Sequence, residues 1–124
     1  MKLTFLGTNG WFDSTTGNTP SAVLETESYN IIFDAGFGLA KADTCLNPDK
    51  PTFLFLSHFH LDHICGLHAL PKFNFRQPLT IFGRKDLKKF FKTVINYPYS
   101  APISFLNYKV NLVPPKEGSY TKPF

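Results

Sequence analysis

The sequence predicts an α/β or α+β layered domain, in which short strands alternate with short helices. Apolar runs with strand character recur along the chain, separated by helix-compatible segments and by turns rich in Gly, Asn and Pro. Its 124 residues suit a single small domain. Hydrophobic residues make up 43% of the chain and include 14 Phe, which suffices for a folded core. We therefore expect one domain over residues 1–124.

The first third of the chain is predicted to be mostly strand. Lys2–Gly7 predicts a strand that ends at its glycine, and a loop rich in Gly, Asn, Ser and Thr follows. Ser21–Thr26 and Tyr29–Phe33 predict a hairpin. Asp34–Gly38 breaks the second of these strands, and a short helix is expected to follow, ending near Asp43.

The middle of the chain predicts alternating strands and helices. Thr52–Leu56 is an unbroken apolar run, typical of a central strand covered on both faces. His63–Leu70 is compatible with a helix that Pro71 ends. Leu79–Phe82 and Tyr108–Val113 predict two further strands.

Arg84–Ile95 predicts an amphipathic helix that carries the densest positive charge of the chain. Four apolar residues are expected on its inward face: Leu87, Phe90, Phe91 and Val94. Five basic residues form the outward face: Arg84, Lys85, Lys88, Lys89 and Lys92. With a net charge of +4, this face is interpreted either as a solvated helix surface or as a patch for phosphate groups.

Membrane and secretory segments are not expected. No apolar run approaches the roughly 18 residues that a membrane-spanning helix needs, and the amino-terminal residues lack a secretory pattern. The two cysteines, Cys45 and Cys65, are too few for a disulfide framework and are expected to be small buried side chains. The sequence therefore predicts no membrane association and a cytoplasmic location.

All four histidines fall in one short stretch, and three of them lie in Ser57–His63. His58 and His60 are two residues apart at a strand end, so their side chains can turn to one side and converge on a metal ion. Asp62 and His63 follow where the chain bends into a helix and suit a second position. These ligand types suit zinc or a similar transition metal. The competing interpretation is a chance group of surface or core histidines.

The motifs together resemble those of one enzyme family. His58-Phe59-His60-Leu61-Asp62-His63 matches the H-x-H-x-D-H signature of metallo-β-lactamase fold hydrolases. Phe5–Gly10 resembles the opening strand and glycine turn of the ribonuclease Z-like and phosphodiesterase-like branch. Ile32–Gly38 resembles the strand-Asp-x-Gly element of the family, and Leu54–Ser57 and Ile64–Leu67 resemble the flanks of its signature.

The resemblance implies an αββα sandwich of two similar halves, with this chain as the first half: one mixed sheet with flanking helices. It implies two metal ions where the halves meet, zinc first of all, with manganese or iron as alternatives. By resemblance, His58 and His60 bind the first ion, and Asp62 and His63 bind the second. Asp62 is also the candidate catalytic residue. Asp34 is expected to orient the metal-binding loop through hydrogen bonds.

The family takes further ligands, two His and a bridging Asp, from the second half of its domain. This sequence has no His after His68, and Asp86 in the basic helix is its only Asp after Asp62. The resemblance is therefore expected to cover the N-terminal half alone and to leave the isolated chain inactive. A fragment, a truncated reading frame and one half of a split protein remain open.

Two functions follow from the resemblance. The first is a metal-dependent hydrolase that cleaves a phosphodiester, RNA included, or another small-molecule or nucleic-acid ester through metal-activated water. The second is a non-catalytic truncated chain, or a metal-binding half-module that needs a partner. An uncovered apolar face of the sheet would favour self-association of the chain or binding of a complementing second half.

Three further side chains lie outside the motif: His68, Trp11 and Phe12. His68 matches no ligand position and is expected to be a packing or surface residue. Trp11 and Phe12 lie in the glycine-flanked loop after the first strand. They are interpreted either as the lining of a substrate cleft or as part of the core.

Overall fold

The structure is a computed structural model that describes residues 1–116; the last part of the predicted 1–124 domain, residues 117–124, lies outside them. A six-stranded sheet forms its centre, and the strands follow one another across the sheet in chain order. The strands are β1 (Lys2–Gly7), β2 (Ser21–Glu25), β3 (Asn30–Phe33), β4 (Thr52–Phe55), β5 (Leu79–Phe82) and β6 (Val110–Val113). The predicted α/β class is confirmed.

Short helices connect the strands of the described chain. The α-helices are α1 (Leu61–Ile64) and α2 (Leu87–Thr93), and the 3₁₀ helices are Phe37–Thr44, Cys65–Lys72 and Ile103–Phe105. Each helix within residues 1–116 is too short or too polar to span a bilayer.

The sheet is mixed, as predicted, and its topology determines where the candidate site lies. β1 pairs with β2, and β2 with β3, in antiparallel fashion. From β3 to β6 all pairings are parallel. The carboxyl ends of these four strands therefore meet at one edge of the sheet, where parallel α/β sheets hold their ligands. Asp34, Ser57 and Arg84 each follow one of the strands at this edge.

One face of the sheet packs against the helices. Alternate strand residues on this face are almost inaccessible to solvent: Val23, Ile32, Leu54 and Ile81. The helices add buried side chains to the same core: Leu39, Leu67, Leu87 and Phe91. Full burial of each large apolar side chain contributes roughly 1.5–3 kcal/mol, so this core holds the helices against the sheet.

The opposite face of the sheet carries a row of phenylalanines. The strand register aligns Phe33 with Phe55, and Phe55 with Phe82. Their rings stack at centroid distances of 6.2 Å and 4.7 Å. Phe33 is 44% exposed, and Phe5 at the edge of the sheet is also exposed. We call these four residues the aromatic face.

The helix predicted at Arg84–Ile95 is shorter than expected. It begins at Leu87, after a turn in which the N–H of Leu87 bonds to the carbonyl of Arg84. Because the helix ends at Thr93, the chain leaves the 3.6-residue period there. Val94, predicted to point inward, is exposed, and Ile95 is buried instead.

The helix predicted at His63–Leu70 is divided into two elements. The α-helical turn begins two residues earlier, at Leu61, and the 3₁₀ helix Cys65–Lys72 continues it. Pro71 was expected to end the helix but lies inside this segment. Because proline lacks the N–H that α-helical bonding needs, this segment forms tighter 3₁₀ turns. The helix then ends one residue after Pro71.

Candidate metal centre

The loop that carries the histidine motif continues directly from β4. The N–H of Leu56 still bonds to the carbonyl of Phe82 on β5, so the loop leaves the sheet in register with its neighbour. The backbone at His60 is extended, with φ −66° and ψ 148°. Asp62 and His63 then lie in α1. The motif therefore spans a strand end and the first turn of a helix.

Three imidazole rings of the motif lie together at the sheet edge. The ring centroid of His58 is 4.5 Å from that of His60 and 4.1 Å from that of His63. His58 and His60 therefore turn to the same side, as their spacing predicts. Their role as metal ligands stays a prediction.

One carboxylate joins two of these rings. Oδ2 of Asp34 lies 2.9 Å from Nδ1 of His63. Oδ1 of Asp34 accepts the N–H of Ser57 at 2.8 Å, and the Ser57 hydroxyl donates to the same carboxylate at 2.8–2.9 Å. Nδ1 of His58 lies 2.9 Å from that hydroxyl oxygen. Because a carboxylate only accepts, Nδ1 of His63 donates to Asp34, and the Ser57 hydroxyl, whose proton is directed to Asp34, accepts from Nδ1 of His58.

Asp34 reaches this position through an unusual backbone conformation. Its φ is +56°, in the left-handed region, which Asp tolerates better than most residues. Its N–H bonds to the carbonyl of Phe55, and the N–H of Ala35 bonds to the carbonyl of His63. The predicted contact between Asp34 and the histidine loop is therefore present.

Two glycines allow the Asp34 segment to pack against the motif. A Cβ on Gly66 would lie 2.0 Å from the carbonyl oxygen of Gly36. A Cβ on Gly36 would lie 2.4 Å from the carbonyl oxygen of Asp62. The N–H of Gly66 bonds to the carbonyl of Ala35 at 2.7 Å. The two backbones are therefore in direct contact, with no room for side chains between them.

Asp62 is held as an anion. Its side chain accepts the N–H of Trp11 at Oδ2, at 3.0 Å, and the same oxygen lies 3.5 Å from Nε2 of His63. The Trp11 hydrogen bond is the main cause that holds the pKa of Asp62 below its ordinary value. Partial desolvation opposes this effect, and the nearby His63 adds to it. The carboxylate is thus available as a ligand at neutral pH.

The chemistry of these donors fits a zinc-like ion, although the set is not closed. Imidazole nitrogen and carboxylate oxygen are common zinc ligands. Within residues 1–116, however, no three His, Cys, Asp or Glu side chains form a group that could hold a metal ion by themselves. The described residues therefore do not provide a full coordination shell by themselves.

The remaining candidates lie outside this set. His68 is exposed; its Nδ1 bonds to the carbonyl of Cys65 and its ring meets the edge of Phe37. Cys65 and Cys45 are free and half-buried, less buried than predicted. Desolvation is the main cause that raises the pKa of both thiols. Neither cysteine is poised as a thiolate ligand.

Two residues of the site were not recognised as such from the sequence. The sequence predicts Ser57 only as a flank of the motif, yet its hydroxyl links His58 to Asp34. Its place between an apolar strand and the first histidine was the available signal. For Trp11 the sequence allows either a cleft lining or a place in the core. It is 76% exposed and its ring lies over His60, at 5.9 Å and 21°, so the core interpretation is wrong.

Positive charge lies beside the motif. The guanidinium of Arg84 is 5.6 Å from the ring centroid of Phe59, the residue between His58 and His60 in the sequence. Arg84 also lines a shallow surface depression with Lys85, Pro115 and Lys116. The carboxyl-terminal edge of the sheet thus combines imidazoles, carboxylates and cations.

Comparisons with known proteins point to one superfamily. The sequence profile of the Metallo-beta-lactamase superfamily matches residues 14–75. The chain is 34% identical over 108 residues to ribonuclease Z of Pyrococcus abyssi, covering 82% of this chain and 35% of that protein. It is 34% identical over 105 residues to ribonuclease BN of Escherichia coli, covering 77% and 34%.

A solved structure shows the same relationship. Human tRNase Z, short form, aligns with a TM-score of 0.71 and 27% identity, over 90% of this chain and 43% of that chain. This chain therefore spans about a third of the length of the curated relatives.

Proposed function

The chain belongs to the metallo-β-lactamase superfamily, as its motifs predict, and from this premise we propose that it provides part of the active site of a metal-dependent hydrolase that cleaves phosphodiester bonds in RNA. The names of the relatives support this substrate class: ribonuclease Z, ribonuclease BN and tRNase Z. Arg84 beside the histidine loop supports it too, because cations at such an edge attract phosphate groups.

The observation that carries the proposal is the hydrogen-bonded path from His58 through Ser57 and Asp34 to His63. Imidazoles that bind metal usually donate their other N–H to a carboxylate or carbonyl, which fixes the tautomer and the ring orientation. Here one carboxylate does this for His63 directly and for His58 through the Ser57 hydroxyl. A histidine pair that served only packing would not need this arrangement.

We assign His58 and His60 to one ion and Asp62 and His63 to a second. Zinc is the proposed ion, and manganese and iron accept the same donors. Bound there, such ions would generate a nucleophilic water near neutral pH and stabilise the leaving oxygen. Asp62 serves as an ionised ligand and as the proposed catalytic carboxylate, and Asp34 holds the rings in orientation.

A second candidate function is a metal-binding half-module without catalysis of its own. It is favoured by the finding that residues 1–116 contain no closed group of three ligands. Either function needs a partner that covers the aromatic face, because Phe33 and Phe5 are exposed there. We propose a second copy of the chain or a complementing half as that partner.

We place the chain in the cytoplasm. Cys45 and Cys65 are both free, and free cysteines are typical of a reducing compartment.

Zinc binding and RNA hydrolysis by the purified chain test the proposal. We expect weak zinc binding, since the chain offers two ligands for each ion, and no hydrolysis above background. His58→Ala and His63→Ala should abolish zinc binding, whereas His68→Ala, which removes the histidine outside the cluster, should not. Equal zinc binding by all three variants would refute the metal site.

Adding the second half of the family domain to this chain distinguishes the two proposed functions. Co-expression with the carboxyl-terminal remainder of the Pyrococcus abyssi ribonuclease Z would supply further ligands. Hydrolysis of RNA that EDTA stops and His60→Ala abolishes identifies the enzyme, and zinc binding without hydrolysis identifies the half-module. The same hydrolysis by the chain alone would contradict its expected inactivity and indicate that the site is completed between copies.

A further inference from the structure

The loop between β1 and β2 presents aromatic rings to solvent beside the histidine cluster. Trp11 is 76% exposed, and the next residue, Phe12, is also exposed. Indole rings in folded proteins are on average highly buried. These two rings contribute little to the core, so their position calls for another explanation.

The position of Trp11 ties it to the metal centre. Its N–H donates to Oδ2 of Asp62 at 3.0 Å. Its ring lies over His60 at a centroid distance of 5.9 Å and an interplanar angle of 21°, a nearly parallel arrangement. One side of the indole faces His60, and most of the rest of its surface is open to solvent. A second planar group could therefore stack on the outer side, next to the proposed ligands.

The loop is ordered before any ligand arrives. The side chain of Asn9 bonds to the carbonyl of Gly17 at 3.0 Å, and Asp13 accepts the N–H of Thr19 at 2.7 Å. Trp11 itself has φ +66°, a left-handed conformation that bulky residues rarely adopt. Its bond to Asp62 helps to hold this backbone in place. An aromatic ring on a preordered loop loses little conformational entropy when it binds.

We propose that Trp11 is a stacking platform for an unpaired base of an RNA substrate, a proposal that rests on the RNA hydrolase function above. Bases of single-stranded RNA stack on aromatic side chains with little sequence preference. Arg84 and Lys85, which follow β5 at the same edge of the sheet, supply positive charge for the phosphates of such a strand. Trp11 then positions the strand, and the histidine cluster acts on its backbone.

Intrinsic fluorescence tests this directly, because Trp11 is the only tryptophan of the sequence. The probe is a short single-stranded oligouridylate, titrated in the presence of EDTA so that neither metal nor cleavage contributes. We expect saturable quenching. An abasic oligomer of the same length and charge should bind about 5- to 150-fold more weakly, which corresponds to the loss of a stacked base, and should not quench.

Variants of Trp11 separate stacking from loop structure. Trp11→Gly removes the ring but suits the positive φ and keeps the N–H that bonds to Asp62. Measured by anisotropy of a labelled oligouridylate, it should bind more weakly by the same factor of about 5 to 150, and Trp11→Phe should be intermediate. Tyr99→Ala, which removes another exposed aromatic, should bind as the unaltered chain does.

The outcomes separate this proposal from the proposed function. Equal binding of the abasic and base-containing oligomers, no binding of either, or unchanged binding by Trp11→Gly would each overturn the platform. Quenching by oligouridylate in a chain whose histidine variants all bind zinc equally would support the platform and refute the metal site.

Discussion

The carboxylate of Asp34 links two histidines of the motif, His58 in the loop after β4 and His63 in α1. It accepts hydrogen bonds from Ser57 and His63, and through Ser57 it also orients His58. An asparagine at this position would replace one acceptor oxygen with an NH₂ group. That group would face N–H or O–H donors that are already directed at the carboxylate, so at least one ring would lose its partner.

Asp34→Asn should therefore weaken zinc binding about 10- to 100-fold, the usual cost of losing a partner that orients a ligand. Competition with a chromophoric chelator measures this affinity. Asp43→Asn is the matched control, because it neutralises a surface carboxylate paired with Lys72 at 2.9 Å, and should bind zinc as the unaltered chain does. Equal zinc affinity of the two variants would mean that Asp34 does not support the metal centre.

At the scale of elements, the segment after β3 packs directly against the segment after α1. The contact is possible because Gly36 and Gly66 have no side chains. It joins the Asp34 segment to the histidine motif through the bond from Gly66 to Ala35. The geometry of the site therefore depends on how closely these two elements approach.

Gly66→Ala should lower the free energy of unfolding by about 1–3 kcal/mol or more, because the new methyl group would meet backbone that cannot move aside easily. Urea denaturation measures the change. Gly10→Ala is the control: a Cβ there meets nothing within 4 Å, and its effect should stay within about 0.5 kcal/mol. If both variants unfolded at the same urea concentration, the close approach would not limit stability.

Tyr108 anchors the approach to β6 against the 3₁₀ helix Cys65–Lys72. Its buried hydroxyl donates to the carbonyl of Leu70 at 2.7 Å, and burial raises the pKa of Tyr108 well above its ordinary value of 10.0. Above about pH 10 the unfolded chain loses this proton first and binds fewer protons than the folded chain. This contribution to stability is therefore full below that pH and declines as the pH rises further.

Tyr108→Phe should cost about 0.5–1.5 kcal/mol at neutral pH through the lost hydrogen bond. The stability gap to the unaltered chain should shrink above about pH 10, because the variant has no proton to lose there. Urea midpoints on both sides of that pH measure the gap. Tyr99→Phe, at an exposed position, should follow the unaltered chain throughout; a gap that widened with pH for Tyr108→Phe would contradict this account.

At the scale of the whole molecule, the sheet has helices on one side and the aromatic face on the other. Exposed apolar patches of this kind mark surfaces that bind a partner or associate. We expect the chain to associate as its concentration rises, and Phe33→Lys to weaken that association by placing a charge in the patch. Sedimentation velocity measures both. Tyr99→Lys, which charges a 77% exposed aromatic residue outside the sheet, should associate as before. A chain that stayed monomeric at every concentration would rule out this role of the face.

The local features of this protein were determined by its sequence alone. The strands at Lys2–Gly7 and Leu79–Phe82 lie where their patterns predict them, because strand propensity and turn residues act between neighbours in the chain. The grouping of His58 and His60 on one side also follows from their spacing. Helix bounds were less well determined, since Val94 and Pro71 depend on how each helix ends against the core.

The connections between distant segments were decided only by the tertiary structure. Trp11 and Asp62 are 51 positions apart in the chain, and Ser57 lies 23 positions from Asp34, yet both pairs form hydrogen bonds. No local pattern encodes such contacts, because they arise only when the folded sheet brings the segments that follow its strands to one edge. The identity of the candidate ligands could therefore be read from the motif. The hydrogen-bond partners of the histidines and the exposure of Trp11 required the folded chain, in which residues far apart in sequence determine each other's hydrogen bonds and solvent contact.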